Sequence, residues 1–179
     1  MKIGLCLALA IMALLGVLVA GCDDNDVANG IDNGVDNGVE NGVDNDVPDV
    51  EGATSLQFTV EWSNGESGSW TYMAKDMGTE DLKLRFEGVF EGVEEGFIVN
   101  GELRTMWALE DGVWVDQEIP AEYWDMYWDM WAAPFEAYVG ELYGWTGGEW
   151  GYTDPYTGLQ VRIYDVAVNP DLPDALFEG

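Results

Sequence analysis

Two thiols, a surplus of carboxylates and nine tryptophans are the side chains in this 179-residue chain that could react or recognise a ligand. It has no histidine, which excludes a Ser/His/Asp triad, a Cys/His pair, a histidine metal ligand and an imidazole proton shuttle. The thiols are Cys6 and Cys22, both near the start, so the rest of the chain can form no internal disulfide or thiolate site. Catalysis would have to rest on carboxylates such as Glu110 with Asp111 or Glu94 with Glu95, because two acids held facing each other can cleave a glycosidic bond. From residue 53 onward, however, 25 acids stand against 5 bases, and neighbouring acids at that density arise by chance as a solvated face. No enzyme activity, catalytic residue, cofactor or metal site is therefore expected.

Cys22 is the thiol with a role. Lys2 is followed by an uncharged run over residues 3–21, basic start first, then Leu, Ala, Ile and Val, then small residues, which is the layout of a secretory signal. The run ends in Val19-Ala20-Gly21-Cys22, which resembles the lipobox of prokaryotic lipoproteins; that resemblance implies cleavage before Cys22 and lipid on its thiol. An uncleaved apolar helix is the alternative, and either one puts the remainder outside the cytoplasm. After Cys22 the chain carries 35 acids and 5 bases, a net of about −30, so anchorage to the membrane must come from lipid and not from charge.

Residues 22–53 read as a disordered acidic linker. Val27-Ala28-Asn29-Gly30, Ile31-Asp32-Asn33-Gly34, Val35-Asp36-Asn37-Gly38 and Val39-Glu40-Asn41-Gly42 repeat a four-residue unit that suits neither strand nor helix. Ten acids and no base lie over residues 23–51, and their mutual repulsion extends the segment. Calcium is the sharper alternative, but the acids lack the Asp-x-Asp-x-Asp-Gly order and the closing Glu that wrap one ion.

The elements that must position the tryptophans lie over residues 54–179. Leu56, Phe58, Val60 and Trp62 alternate with polar residues as in a half-buried strand. Asn64-Gly65 turns the chain into a second strand bearing Trp70, Tyr72 and Ala74, and Leu82, Leu84 and Phe86 make a third. Residues 97–99, 103–109 and 113–115 continue as hairpins through Asn100-Gly101 and Asp111-Gly112, giving a meander. Pro120 and Glu122 open a helix whose aromatic face carries Trp124, Tyr127 or Trp128, Trp131, Phe135 and Tyr138, with a break or kink expected at Pro134. Residues 144–148 end it. Strands over 149–152 and 159–168 follow, flanking a turn at 154–158, and an extended tail with Pro170 and Pro173 closes the chain. The fold class is mainly β (α+β), an antiparallel sheet with an inserted aromatic helix.

Three stretches carry a wider resemblance: Tyr72-Met73-Ala74-Lys75 with Lys83-Leu84-Arg85-Phe86-Glu87, Val99-Asn100-Gly101 leading to Met106-Trp107-Ala108-Leu109-Glu110-Asp111-Gly112-Val113-Trp114, and the ending Val168-Asn169-Pro170-Asp171-Leu172-Pro173-Asp174-Ala175-Leu176-Phe177. With the lipobox, spacer and helical insert, they look like the extracytoplasmic LolA-like lipoprotein-sorting and lipid-carrier families over residues 54–178. The resemblance implies a sheet curled into a half-barrel, helices closing its concave side and an apolar cavity between.

The expected function is that of a membrane-anchored binding module for a hydrophobic, lipid-like ligand. Trp124, Trp128, Trp131 and Phe135 would lie over a sheet face made by Leu56, Phe58, Val60, Leu84 and Phe86. The alternative is a structural or carbohydrate-binding surface domain in which these residues fill the core. Insertion of the Tyr/Trp/Met helix at a membrane interface is opposed by Asp125 and Asp129. The expected partners are the membrane, through lipidated Cys22, and an apolar ligand, with no nucleic acid, because the charge is of the wrong sign. Mutual repulsion favours a monomer, in surroundings salty enough to screen it. Thermal unfolding of the full chain should accordingly move to higher temperature from low to molar salt; a flat or falling midpoint would count against salt adaptation.

Overall fold

The computed structural model describes residues 49–63, 67–90, 92–153 and 158–179. The signal segment over 1–21, Cys22, the linker through residue 48, and the turns at Asn64-Gly65 and 154–157 lie outside the described residues. Eight strands form one antiparallel sheet: β1 (Ser55–Ser63), β2 (Ser67–Lys75), β3 (Lys83–Phe90), β4 (Val93–Asn100), β5 (Thr105–Glu110), β6 (Val113–Asp116), β7 (Trp150–Thr153) and β8 (Gln160–Val168). A 3-10 turn at Ala121–Tyr123 leads into one helix, α1 (Trp124–Glu141). The strand order is β6-β5-β4-β3-β2-β1-β8-β7 and the sheet does not close on itself. The protein is thus mainly β with a single helix among the described residues.

Six strands run as the expected meander, and the tight turns have a local cause. Glu110 pairs with Val113 across Asp111 and Gly112, whose φ values of 52° and 78° are those of a primed hairpin turn. After β6 the chain is at one edge of the sheet, and it resumes in β7 at the opposite edge. Everything between must cross the sheet, and α1 makes that crossing. The last strand then pairs with the first, Val60 opposite Ile163 and Leu56 opposite Val168, with a bulge between Gln57 and Thr59 where Asp165 takes a φ of 53°.

Three local expectations are corrected. α1 continues through Pro134 without a break, although proline cannot donate to the Met130 carbonyl; Trp131 and Phe135 are both buried and fix the helix on either side of it. Leu103 is 56% exposed in the turn between β4 and β5 and not in a strand, because Asn100 Oδ1 accepts the Leu103 N–H at 3.0 Å and Arg104 adopts a φ of 52°. Val50, assigned to the linker, is 3% exposed and belongs to the main core, the Ala53 N–H donating back to its carbonyl at 3.2 Å.

Alternation divides the sheet chemically. One face, with Leu56, Phe58, Val60, Tyr72, Leu84, Phe86, Phe97 and Val99, packs with α1 in the main core. Across the other face of the central strands runs the segment 169–179. Phe177 is fully buried there with Ile98 and Leu172, against Met73, Trp107 and Trp114. Polar side chains of the sheet hold its backbone: Lys75 Nζ donates to the Leu172 carbonyl at 3.0 Å, Arg85 Nη1 to that of Leu176 at 2.7 Å, and Asn100 Nδ2 to that of Phe177 at 3.3 Å. Asp174 is ion-paired to Lys75 at 2.8 Å and lies 3.5 Å from Lys83.

The Lys75 ammonium holds the Asp174 carboxyl below its usual range, with Lys83 adding to the effect. A carboxyl lowered by folding contributes its grip fully above the ordinary value of about 3.9 and loses it as pH falls through the lowered one. In an NMR titration, Asp174 should therefore titrate below that ordinary value, and the Phe177 ring signals should shift with it. Lys75→Gln should move the Asp174 midpoint upward; ordinary titration in the unsubstituted chain would contradict the ion pair.

Candidate functional site

Strand register places four rings side by side on the helix face: Phe58 opposite Tyr72, Tyr72 opposite Phe86, and Phe86 opposite Phe97. Phe58 and Tyr72 stack with centroids 5.2 Å apart, and Tyr72 meets Phe86 edge-on at 5.1 Å. The helix lays a second layer on this row. Trp131 lies 4.2 Å from Phe97 and 5.3 Å from Phe86, Phe135 is 6.1 Å from Phe58, and Tyr138 meets Tyr72 at 5.5 Å and Phe58 at 6.4 Å. Steps of four and three residues keep these side chains on one stripe of α1, and that stripe is the buried one. Each such ring pair is worth about 0.5–1.5 kcal/mol beyond the area it buries.

All the sequence-selected residues from Leu56 onward come together at this interface. Leu56 and Leu84 are fully buried in the cross-strand row on one side of the ring row and Val60 in the row on its other side, and Phe58, Phe86, Trp131 and Phe135 form the row and its cover. Trp124 is buried and tilts on Trp128 at 5.9 Å, while Trp128 is half-buried at the β4 end. Cys22 lies outside the described residues. The sequence reading passed over Tyr72, Phe97 and Tyr138 as site residues, although they complete the stack. Tyr72 lies directly across from Phe58 through the register that pairs Ser63 with Ser67.

Several polar atoms are buried in this interface without a hydrogen-bond partner: Trp70 Nε1, Trp131 Nε1, Tyr138 OH and Glu95 Oε2. Leaving such a group unpaired costs about 1–3 kcal/mol. Burial pushes the Tyr138 and Tyr72 phenols well above their ordinary value, so both stay neutral donors. Glu95 shares a row with Trp70 and Gly88, and desolvation raises its carboxyl.

Other tryptophans have structural seats. A Cβ on Gly68 would collide with the Trp62 ring, one on Gly96 with Trp114 at 2.8 Å, and one on Gly101 with Trp128 at 3.1 Å. These glycines are where the large rings lie down on the backbone. Trp114 is also covered by the Arg85 guanidinium at 4.9 Å.

The carboxylate pairs are arranged differently from a facing dyad. Glu94 and Glu95 are consecutive in β4 and point to opposite faces of the sheet. Glu110 closes β5 and accepts from Gln117 Nε2 at 3.3 Å, while Asp111 occupies the turn. Among the described residues, no group of three or more acids gathers into a metal site, and no helix is long and apolar enough to cross a membrane. Comparison with protein-family models, with curated proteins and with solved structures found no match for this chain.

Phe135→Ala should lower the unfolding free energy by about 3–5 kcal/mol, as for a ring removed from a packed core. Met126→Ala, on the exposed side of α1, should change it by less than about 0.5 kcal/mol. Urea unfolding monitored by tryptophan fluorescence checks both, and equal effects would mean that α1 is seated by another face.

Proposed function

We propose that this chain is a LolA-like, lipid-anchored extracytoplasmic module that takes a hydrophobic, lipid-like ligand between α1 and the ring row of the sheet. In this reading residues 1–21 are removed, Cys22 carries the lipid, and the acidic linker ahead of Val50 holds the domain away from the membrane. The sheet curls as a half-barrel around the helix side. The observation that carries the reading is the character of the interface: helix meets sheet through ring faces, and the Trp131 indole N–H and Tyr138 hydroxyl that α1 contributes are left unpaired. Rings resting on rings can part and close again on an apolar chain with little loss of specific bonding. The unpaired donors would then meet any acceptor atoms the ligand carries.

A second reading, the filled core of a structural domain, is favoured by the near-complete burial of Phe58, Phe135 and Tyr138. Ligand uptake separates the two. The full chain, stripped of co-purifying lipid, should enhance the emission of a fluorescent fatty-acid probe saturably. Trp128→Ala, at the half-buried end of the aromatic stripe, should weaken that uptake about tenfold. Absence of uptake for any apolar probe would leave the filled-core reading standing.

A further inference from the structure

The opposite face of the sheet carries a second feature, independent of α1. Where β1, β8 and β7 run together, a cleft of about 390 Å³ opens over a three-by-three block of residues. Register aligns Glu61 with Arg162 and Gly151 in one row, and Ser63 with Gln160 and Thr153 two residues along. The row between them, which also lines the cleft, contains Trp62, Val161 and Tyr152; the first two are buried in the main core on the α1 side and Tyr152 packs against it. Alternation therefore turns both polar rows away from the helix. The segment 169–179 holds to β2, β3 and β4 and to the far end of β1, by Ser55, not to this corner.

The chemistry of the block is selective. Arg162 Nη2 donates to Glu61 at 2.8 Å, its second nitrogen lies 3.6 Å from Glu149, and its guanidinium covers the Tyr164 ring at 4.6 Å. The guanidinium is thus oriented before any ligand arrives, and with five N–H donors it has some left over. Its charge is already answered by Glu61, so the site has no surplus cation for an anion in a chain whose net charge of −29 repels one. An apolar ligand would strip water from the Gln160 amide and from the Ser63 and Thr153 hydroxyls without replacing their hydrogen bonds. An uncharged molecule rich in hydroxyls satisfies all of them, because amide, hydroxyl and guanidinium–carboxylate groups offer donors and acceptors side by side. Gly151 leaves the row open at the sheet edge: a Cβ there would meet just the Val161 carbonyl oxygen, at 3.3 Å.

From this arrangement we infer that the β1–β8–β7 corner is a binding site for a neutral oligosaccharide. It needs no part of the apolar-ligand reading. The full chain would be titrated with cellotriose, maltotriose and chitotriose to about 20 mM and followed by calorimetry and by amide shifts of β8. At least one should bind saturably, and Gly151→Thr, which fills the open end of the row, should weaken it tenfold or more. Gln160→Ala removes an exposed amide with no core role and should weaken it severalfold, which guards against a Gly151 variant that perturbs the edge. Uptake of the fatty-acid probe should be the same in both variants as in the unsubstituted chain. The inference is overturned by the absence of saturable binding for all three sugars, by binding that both variants leave intact, or by binding confined to a charged trisaccharide such as trigalacturonate.

Discussion

The row Phe58–Tyr72–Phe86–Phe97 is the contact on which the remaining architecture depends. The chain leaves the meander at β6 and must reach β7 at the opposite edge of an open sheet, so some element has to traverse the face. A polar connection would leave that face wet and the four rings exposed. An aromatic-striped helix solves both problems at once, since Trp131, Phe135 and Tyr138 cover the row while α1 carries the chain across. Once delivered to the far edge, β7 and β8 can close onto β1, which turns the first strand from an edge into an interior strand. Edges then remain at β6 and β7, each four residues long and too short to template pairing with another chain.

The opposite face is organised by scarce cations. Beyond residue 22 the chain has five bases, and Lys75, Lys83 and Arg85 all serve the segment 169–179 or its neighbours. Lys83 is largely buried and lies within 4 Å of Glu102, Asp76 and Asp174; its hydrogen bonds to Glu102 and Asp76 raise its pKa against the opposing effect of desolvation. In a chain this acidic, three lysine and arginine side chains lining adjacent strands give an acidic, proline-bearing segment a place to settle. Its apolar residues, Leu172 and Phe177, then seal the strip they cover. Exposed ion pairs contribute little singly, so the burial of Phe177 holds the segment and the charges fix its register.

Much of this was legible in the sequence wherever a local rule decides. Period-two alternation placed Leu56, Phe58 and Val60 on one face, Asp111-Gly112 fixed its hairpin, and the three- and four-residue aromatic steps marked the buried stripe of α1. The misses are decided by distant contacts. Nothing near Pro134 shows that Trp131 and Phe135 will fix the helix on both sides of it. Pairing of β8 with β1 depends on a crossing that the strands themselves do not encode, and Leu172 and Phe177 have no local periodicity that assigns them to the face opposite α1. Val50 sits too close to the repetitive linker for its composition to distinguish it. The candidate site was half-read for the same reason: its helix half is local, whereas the ring row exists only through cross-strand register.

The tryptophans also differ in what would move if the interface opened. Trp62, Trp114 and Trp128 lie on Gly68, Gly96 and Gly101, seats that a single methyl group would block, so their positions are tied to the backbone. Trp131 has no such seat; it rests on the faces of Phe86 and Phe97, as Phe135 rests on Phe58. A displacement of α1 would therefore slide ring on ring at its centre while Trp128 remained held beside the β4–β5 turn. The Trp128 end and the Phe135–Tyr138 end of α1 are thus held by contacts of different kinds. The Tyr138 hydroxyl and the Trp131 indole N–H both lie in this ring-on-ring part of the interface, and burial keeps the phenol neutral.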